Sequence, residues 1–291
     1  NIISYMPTKR QTMLFSATYP SKIESIAKRI MQSPVIVEVQ DSHSKQSIVQ
    51  TLYQVESDDA RIEAVRLLLQ AHQPETTLIF CNTKIETDQV ANELRSVGYE
   101  ALALHGDLEQ RQRDQTLVRF SNRSDSVLVA TDVAARGLDI EALDLVINYQ
   151  VARELEVHTH RIGRTGRAGA QGFACTLHTQ KENHKIGLLE EYLKQKLERD
   201  DLPPIALLRQ PAFCAPMITL QIGGGKKQKL RAGDIVGALT GVDGIPGTEI
   251  GRIQVGDQWA YVAIARAHGR TAFKKLSEGK LKGRSFKVRR L

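Results

Sequence analysis

Four short runs in the middle of the chain are apolar at nearly every position: Thr77–Cys81 (TLIFC), Ala101–Leu104 (ALAL), Val127–Ala130 (VLVA) and Leu145–Asn148 (LVIN). A strand with one wet face alternates apolar and polar residues. A strand without that alternation has to be covered on both faces. Amphipathic stretches at Asp59–Ala71, Ile85–Val97 and Glu109–Phe120 lie between or beside these runs, and crossovers of that length are what parallel strands require. The pattern predicts an α/β fold over residues 48–200: a parallel sheet between two helical layers. A last helix over about Glu182–Glu198 closes it.

The 291 residues are 41% hydrophobic and 25% charged, a globular composition with room for more than one domain. No run approaches the roughly 18 apolar residues of a membrane helix, and the start shows no basic-then-apolar leader. Cys81, Cys175 and Cys214 are far apart and form no CxxC pair, which points away from a zinc site or a disulfide framework. A cytoplasmic protein with no membrane partner and no metal is expected.

The flanks differ from the centre. Residues 1–40 offer a strand at Thr12–Phe15, a helix at Pro20–Gln32 and a strand at Val35–Val39. Three elements bury too little to stand alone, so these residues read as the end of a domain. Residues 41–47 (DSHSKQS) are a polar linker, and residues 201–216, with Pro203, Pro204, Pro211 and Pro216, are a second one. Residues 217–291 carry 15 Lys+Arg against 5 Asp+Glu, a net of +10, while the rest of the chain sums to −3. That asymmetry predicts a polyanionic partner. The tail's predicted elements are strands at Ile218–Ile222, Ile250–Val255, Trp259–Ala265 and Phe286–Leu291, with helices at Gly233–Leu239 and Arg270–Leu276. This βαββαβ order is ferredoxin-like, and the RNA-recognition motif is its best-known basic occupant.

Four clusters sit where a parallel sheet places its ligands, beyond strand C-termini. In Leu78–Lys84 a strand ends at Thr83, which reads either as a helix N-cap or as a phosphate ligand. In Leu104–Arg113, Gly106 admits close backbone approach, and Gln110 and Arg113 share a helix face. Arg113 serves a phosphate or is simply solvated. In Val129–Ile140, Thr131 suits a backbone phosphate and Asp139 a ribose hydroxyl, with Arg136 and a glycine close by. In His160–Gly169, arginines at 161, 164 and 167 are interleaved with glycines. Glycine is costly inside a helix, by about 1 kcal/mol each, and arginines of this kind stabilise a transferring phosphoryl group.

Taken in order, these blocks resemble the second RecA-like domain of DEAD-box RNA helicases. Leu78–Lys84 resembles the family's motif IV, Gln110 and Arg113 its QxxR element, Val129–Ile140 motif V, and His160–Arg167 motif VI. Ser16-Ala17-Thr18 resembles motif III, near the end of the first RecA-like domain. The segment from Gly223 to Gly241 resembles the RNA-binding domain that follows the helicase core in one bacterial subfamily.

The resemblance implies an ATP-dependent enzyme using Mg²⁺. Arg164 and Arg167 would be catalytic, reaching the γ-phosphate, with Asp139 on the ribose. Thr83, Gly106, Gln110, Arg113 and Thr131 would hold the RNA backbone. Ser16, Thr18, Arg136 and His160 would couple hydrolysis to closure against the missing first RecA-like domain. Large-subunit ribosomal RNA and precursor ribosomal particles are the implied partners.

Two departures qualify this. Neither G-x-x-x-x-G-K-[ST] nor Asp-Glu-Ala-Asp occurs in the chain, so the chain alone is expected neither to hold ATP tightly nor to hydrolyse it. It would then act as the C-terminal part of a helicase or, alternatively, as an RNA-anchoring module. The tail's first strand also supplies no aromatic residue, so Trp259 and Tyr261 give an incomplete stacking platform; they stack on bases or pack inside the protein. Phosphate contacts then fall to Lys226, Lys227, Lys229, Arg231, Arg252, Lys280, Lys282, Arg284 and Lys287. Glu190 and Glu191, adjacent on a helix, read as a solvated face, and His158 and His160 diverge too far to share a metal.

Overall fold

The computed structural model describes residues 2–7, 9–15, 21–37, 48–135, 143–166 and 171–291. The chain divides into two compact units, residues 1–44 and 45–291. In the first, helix α1 (Ser21–Ile30) is braced by an i,i+4 pair between Glu24 and Lys28 at 2.6 Å. The strands expected at Thr12–Phe15 and Val35–Val39 do not form among the described residues. A strand exists only through its ladder, and none is offered here: Phe15 and Val35 are both 87% exposed. Ser16 and Thr18 lie outside the described residues.

The second unit begins with β1 (Ile48–Val55), α2 (Arg61–His72), β2 (Thr77–Cys81), α3 (Lys84–Ser96), β3 (Ala101–Leu104), α4 (Gln110–Ser121), β4 (Val127–Thr131) and the short α5 (Asp132–Ala135). It continues through β5 (Leu145–Asn148), α6 (Leu155–Ile162), β6 (Gly172–Thr179), α7 (Asn183–Leu193) and β7 (Glu198–Asp200). These strands form a seven-stranded sheet in the order β3-β4-β2-β5-β6-β1-β7, parallel throughout. The four apolar runs become its buried centre and one flank. Alternate residues serve opposite faces. Ile79, Cys81, Val129 and Ile147 pack under α2 and α3 with Leu68, Val90 and Leu94. Leu78, Phe80, Leu128 and Val146 pack with Phe120 of α4 and Ile162 of α6.

Strands β1 and β6 escaped the sequence reading because they carry Gln, Thr and His among their apolar residues. Their polar groups are paired where buried: Asn148 on β5 donates to the Thr176 hydroxyl on β6 at 2.9 Å. Helix α7 ends earlier than expected because Lys194 turns left-handed, at φ 52°. The solvated reading of Glu190 is corrected at the same place. Glu190 is 5% exposed and accepts from Lys196, Arg199 and the Leu197 N–H. Burial raises its pKa, but those donors outweigh the effect and hold it at about 2. Glu191 is exposed as expected.

Residues 201–216 run along the parallel-sheet domain as a strap. Phe213 meets Tyr99 edge-on at 5.5 Å, and Gln70 donates to the Pro211 carbonyl. The tail then forms β8 (Met217–Ile222), α8 (Ala232–Thr240), β9 (Ile250–Val255), β10 (Ala260–Ala265), α9 (Gly269–Glu278) and β11 (Val288–Arg290). Its antiparallel sheet has the order β11-β8-β10-β9, the ferredoxin-like arrangement. Ile218, Leu220 and Ile222 of β8 point into a core shared with Ile235 and Leu239 of α8 and Leu276 of α9.

Candidate functional site

Sheet order brings the sequence-distant clusters together. Strands β3, β4, β2 and β5 are neighbours, so the loops leaving their C-terminal ends lie side by side. Thr83 caps α3: its hydroxyl accepts the Glu86 N–H at 3.2 Å. The side chain itself stays exposed, so the cap and a surface ligand role are compatible. Lys84, the next residue, lies within 3.8 Å of where a Cβ on Gly106 would stand, and it pairs with Asp107. That hydrogen bond holds the Asp107 carboxyl below its usual range. Arg113 donates to the Ala134 carbonyl at 3.1 Å and so ties α4 to the short α5 that follows β4. Gln110 bonds Asp114, one turn on.

The organising residue is the first of the three arginines read from the sequence as phosphate ligands, and that reading is corrected for it because its donors are spent inside the protein. Arg161 is 1% exposed. Its Nε and Nη2 grip both carboxylate oxygens of Asp132, at 2.6 and 2.9 Å. Nη2 also reaches Asn82 Oδ1 at 2.8 Å, and Nη1 reaches the Gln150 carbonyl at 3.0 Å. The guanidinium lies over Phe80 at 5.2 Å. One side chain thus binds the loop before Thr83, the loop after Thr131 and the helix that carries His160. The available signal was its place at the start of a regularly spaced arginine series.

Arg161, His160 and Arg164 line a small cleft with Phe80, Asp132, Ala135 and Val157. His160 is exposed and Arg164 half-buried. His158 points the other way, 1% exposed, with Nε2 3.3 Å from Gln50 Oε1. Burial, helped by nearby Arg161, lowers its pKa to about 4. Arg136, Asp139 and Arg167 lie outside the described residues. Among the described residues no three metal-ligating side chains gather, and no helix is long and apolar enough to cross a membrane.

In the tail, all nine candidate cations are exposed. The loops holding Lys226–Arg231 and Lys280–Lys287 meet: Lys282 donates to the Lys229 carbonyl at 3.0 Å, and Gly223 N–H donates to the Lys287 carbonyl at 2.8 Å. Arg252 stands apart, on the edge strand β9. The open sheet face expected of an RNA platform is an interface instead. Thr219 is fully buried and bonds Asn122 at 3.0 Å and Ser124 at 2.6 Å, both just beyond α4. Gln221 is 2% exposed on the same face, and Tyr261, its cross-strand neighbour, is half-buried there. Arg266 pairs with Glu100 and donates to the Ala215 carbonyl, and the Arg111 guanidinium covers Trp259 at 4.9 Å.

Comparison with known proteins agrees with this architecture. A family model described as the helicase conserved C-terminal domain matches residues 60–169, and one described as the DbpA RNA binding domain matches residues 219–290. The chain is 46% identical to the Escherichia coli ATP-dependent RNA helicase DbpA over all of its own length and 63% of that protein's. It is 35% identical to the Bacillus subtilis protein of the same name, over 99% of this chain and 64% of that one. It is also 30% identical to the solved E. coli DEAD-box protein SrmB bound to regulator of ribonuclease activity A. That match covers 58% of this chain and 97% of that one, with a TM-score of 0.52.

The chain belongs to the DEAD-box family.

It spans a little under two thirds of the DbpA relatives. Within a DEAD-box protein, the parallel-sheet domain described here is the helicase C-terminal domain, and the basic tail is an RNA-binding domain of the DbpA type.

Proposed function

We propose that the chain is the C-terminal portion of an ATP-dependent RNA helicase that binds a large-subunit ribosomal RNA hairpin and remodels nearby RNA in precursor ribosomal particles. The observation that carries this reading is the Arg161 network, which locks the Asn82–Thr83 and Thr131–Asp132 loops to the helix bearing His160, with Arg164 just beyond it. In that arrangement Thr83, Gly106, Gln110, Arg113 and Thr131 hold the RNA backbone. Arg164, Arg167 and Asp139 face ATP and its Mg²⁺. Arg136 and His160 relay closure from the first RecA-like domain, to which Ser16 and Thr18 belong. The tail's exposed cations hold the hairpin, so affinity falls steeply with salt. Without a phosphate-binding P-loop of its own, the chain binds RNA but does not turn over ATP. The protein acts in the cytoplasm.

The test is binding of the 291-residue chain to a large-subunit ribosomal RNA hairpin and to a scrambled hairpin of equal length, at fixed near-physiological salt. Preference for the native hairpin by at least about tenfold is expected, since specific sites exceed non-specific ones by more than that. Equal binding removes the ribosomal assignment, and RNA-stimulated ATP turnover by the purified chain overturns the division of labour.

A further inference from the structure

Arg111 differs in its surroundings from the other arginines of its neighbourhood. Arg113 donates to a carbonyl, Arg119 is bidentate to Asp125, Arg123 pairs with Glu75 and Arg266 pairs with Glu100. The Arg111 guanidinium has the Trp259 ring against its face, 4.9 Å from the centroid, and no hydrogen bond or ion pair to any described residue. A guanidinium presents its donors in its own plane, so stacking on an indole fixes the group while leaving the N–H edges open. A side chain held by its face with its donors unspent is pre-organised for a planar, bidentate acceptor such as phosphate.

Its position gives the phosphate a source. Arg111 lies in the first turn of α4, between Gln110 and Arg113. Trp259 precedes β10 beside the turn at Gly256, whose carbonyl accepts the Lys226 N–H at 2.8 Å; Asp257 accepts the Lys227 N–H at 3.0 Å. Gly223, where a Cβ would come within 3.8 Å of the indole, bonds the Lys287 carbonyl. The Arg111–Trp259 stack therefore stands where the helix carrying Gln110 and Arg113 meets the turn carrying Lys226 and Lys227.

We propose that Arg111, stacked on Trp259, is a binding site for an RNA backbone phosphate, and that it joins the RNA surface of the helicase domain to that of the tail. This rests on the reading of both surfaces as RNA-binding. One strand leaving the element held by the tail crosses Arg111 before reaching Arg113. Trp259 acts as a positioning residue: it orients the arginine and does not itself read a base.

The 291-residue chain is titrated with a hairpin alone and with the same hairpin carrying a single-stranded extension, at several salt concentrations. Trp259 is the one tryptophan of the chain, so its emission reports the stack directly. The extended RNA is expected to bind more tightly and to change Trp259 emission, whereas the bare hairpin leaves emission unchanged. Arg111→Ala should remove about tenfold of the extension-dependent affinity, the scale of one charge-assisted contact, and lower the salt slope by a little under one. Arg111→Lys keeps the charge without the fork and should recover only part, and Trp259→Phe keeps a ring and should recover most. Melting temperatures of all variants are measured alongside. If Arg111→Ala lowers the melting temperature but leaves the extension-dependent affinity and salt slope intact, the stack is only domain glue and the proposal is wrong. An extension that adds no affinity to the wild-type chain also overturns it. Failure to bind any hairpin would instead strike the reading of the tail on which the proposal rests.

Discussion

Replacing Arg161 by methionine removes a buried guanidinium while keeping much of its hydrocarbon length. The loss falls on groups that cannot find water easily. Asp132, with a side chain 24% exposed, loses two charge-assisted bonds, and Asn82 and the Gln150 carbonyl each lose a donor. Breaking a fully buried ion pair by deleting one partner costs about 3–5 kcal/mol. Because Asp132 retains some solvent, we discount that to about 2–4 kcal/mol. For a domain of this size each kcal/mol moves the melting temperature by roughly 2–4 °C, so a fall of roughly 4–16 °C is expected. The assay is urea denaturation followed by far-UV circular dichroism, with the midpoint and slope fitted together. The double variant supplies the sharper test. Asp132→Asn added to Arg161→Met removes the uncompensated charge, so the two changes should be non-additive by at least about 1 kcal/mol. An Arg161→Met protein within about 0.5 kcal/mol of wild type, or strictly additive changes, would refute the view that this side chain clamps the site.

Two further predictions concern buried polar groups. His158 has its pKa lowered from 6.5 to about 4 in the fold, so between those values the unfolded chain takes up a proton that the folded chain refuses. Stability from this group is complete above pH 6.5 and is lost as pH falls toward 4; by pH 5 the loss is about 2 kcal/mol. His158→Gln should flatten that part of the pH dependence, and denaturation curves at pH 7 and pH 5 with the same difference in both proteins would disprove it. Thr219→Val is close in shape but leaves the buried Asn122 amide without its acceptor, while the Ser124 hydroxyl keeps only its bond to the Arg119 carbonyl. It should cost about 1–3 kcal/mol and speed proteolysis of the strap near residues 201–216; an unchanged cleavage rate would show that the seam does not depend on these bonds.

Much of the fold was written in periodicity. The runs at Thr77–Cys81, Val127–Ala130 and Leu145–Asn148 have no polar alternation, and a strand of that kind has only one place in a parallel sheet. Strands β1 and β6 were hidden because Gln50, His178 and Thr176 interrupt their apolar character, and two of those interruptions are satisfied by partners far off in sequence, Thr176 by Asn148 and Gln50 by His158. The tail's helices and strands were legible from the same rules, but its exposure was not. Thr219 and Gln221 look like solvent-facing residues of an alternating strand, and nothing local says that another domain covers them. The sequence places Thr83, Arg113 and His160 at the C-terminal edge of the sheet, and they lie there. The burial of Arg161 was not legible, because burial depends on the register of three strands at once. The same holds for Glu190: the donors at Lys196, Leu197 and Arg199 reach it only once α7 has turned at Lys194.

The seam between sheet domain and tail consists largely of hydroxyls, an amide, a carboxylate and a stacked cation, and the tail's hydrophobic core includes no residue of the sheet domain. Such a joint hides little hydrocarbon, so opening it carries little of the heat-capacity change that marks the melting of a core. The two domains are therefore held in register without being thermodynamically fused. On heating, each core is expected to cross its own cooperative transition, with the seam shifting the earlier of the two upward as a bound ligand would.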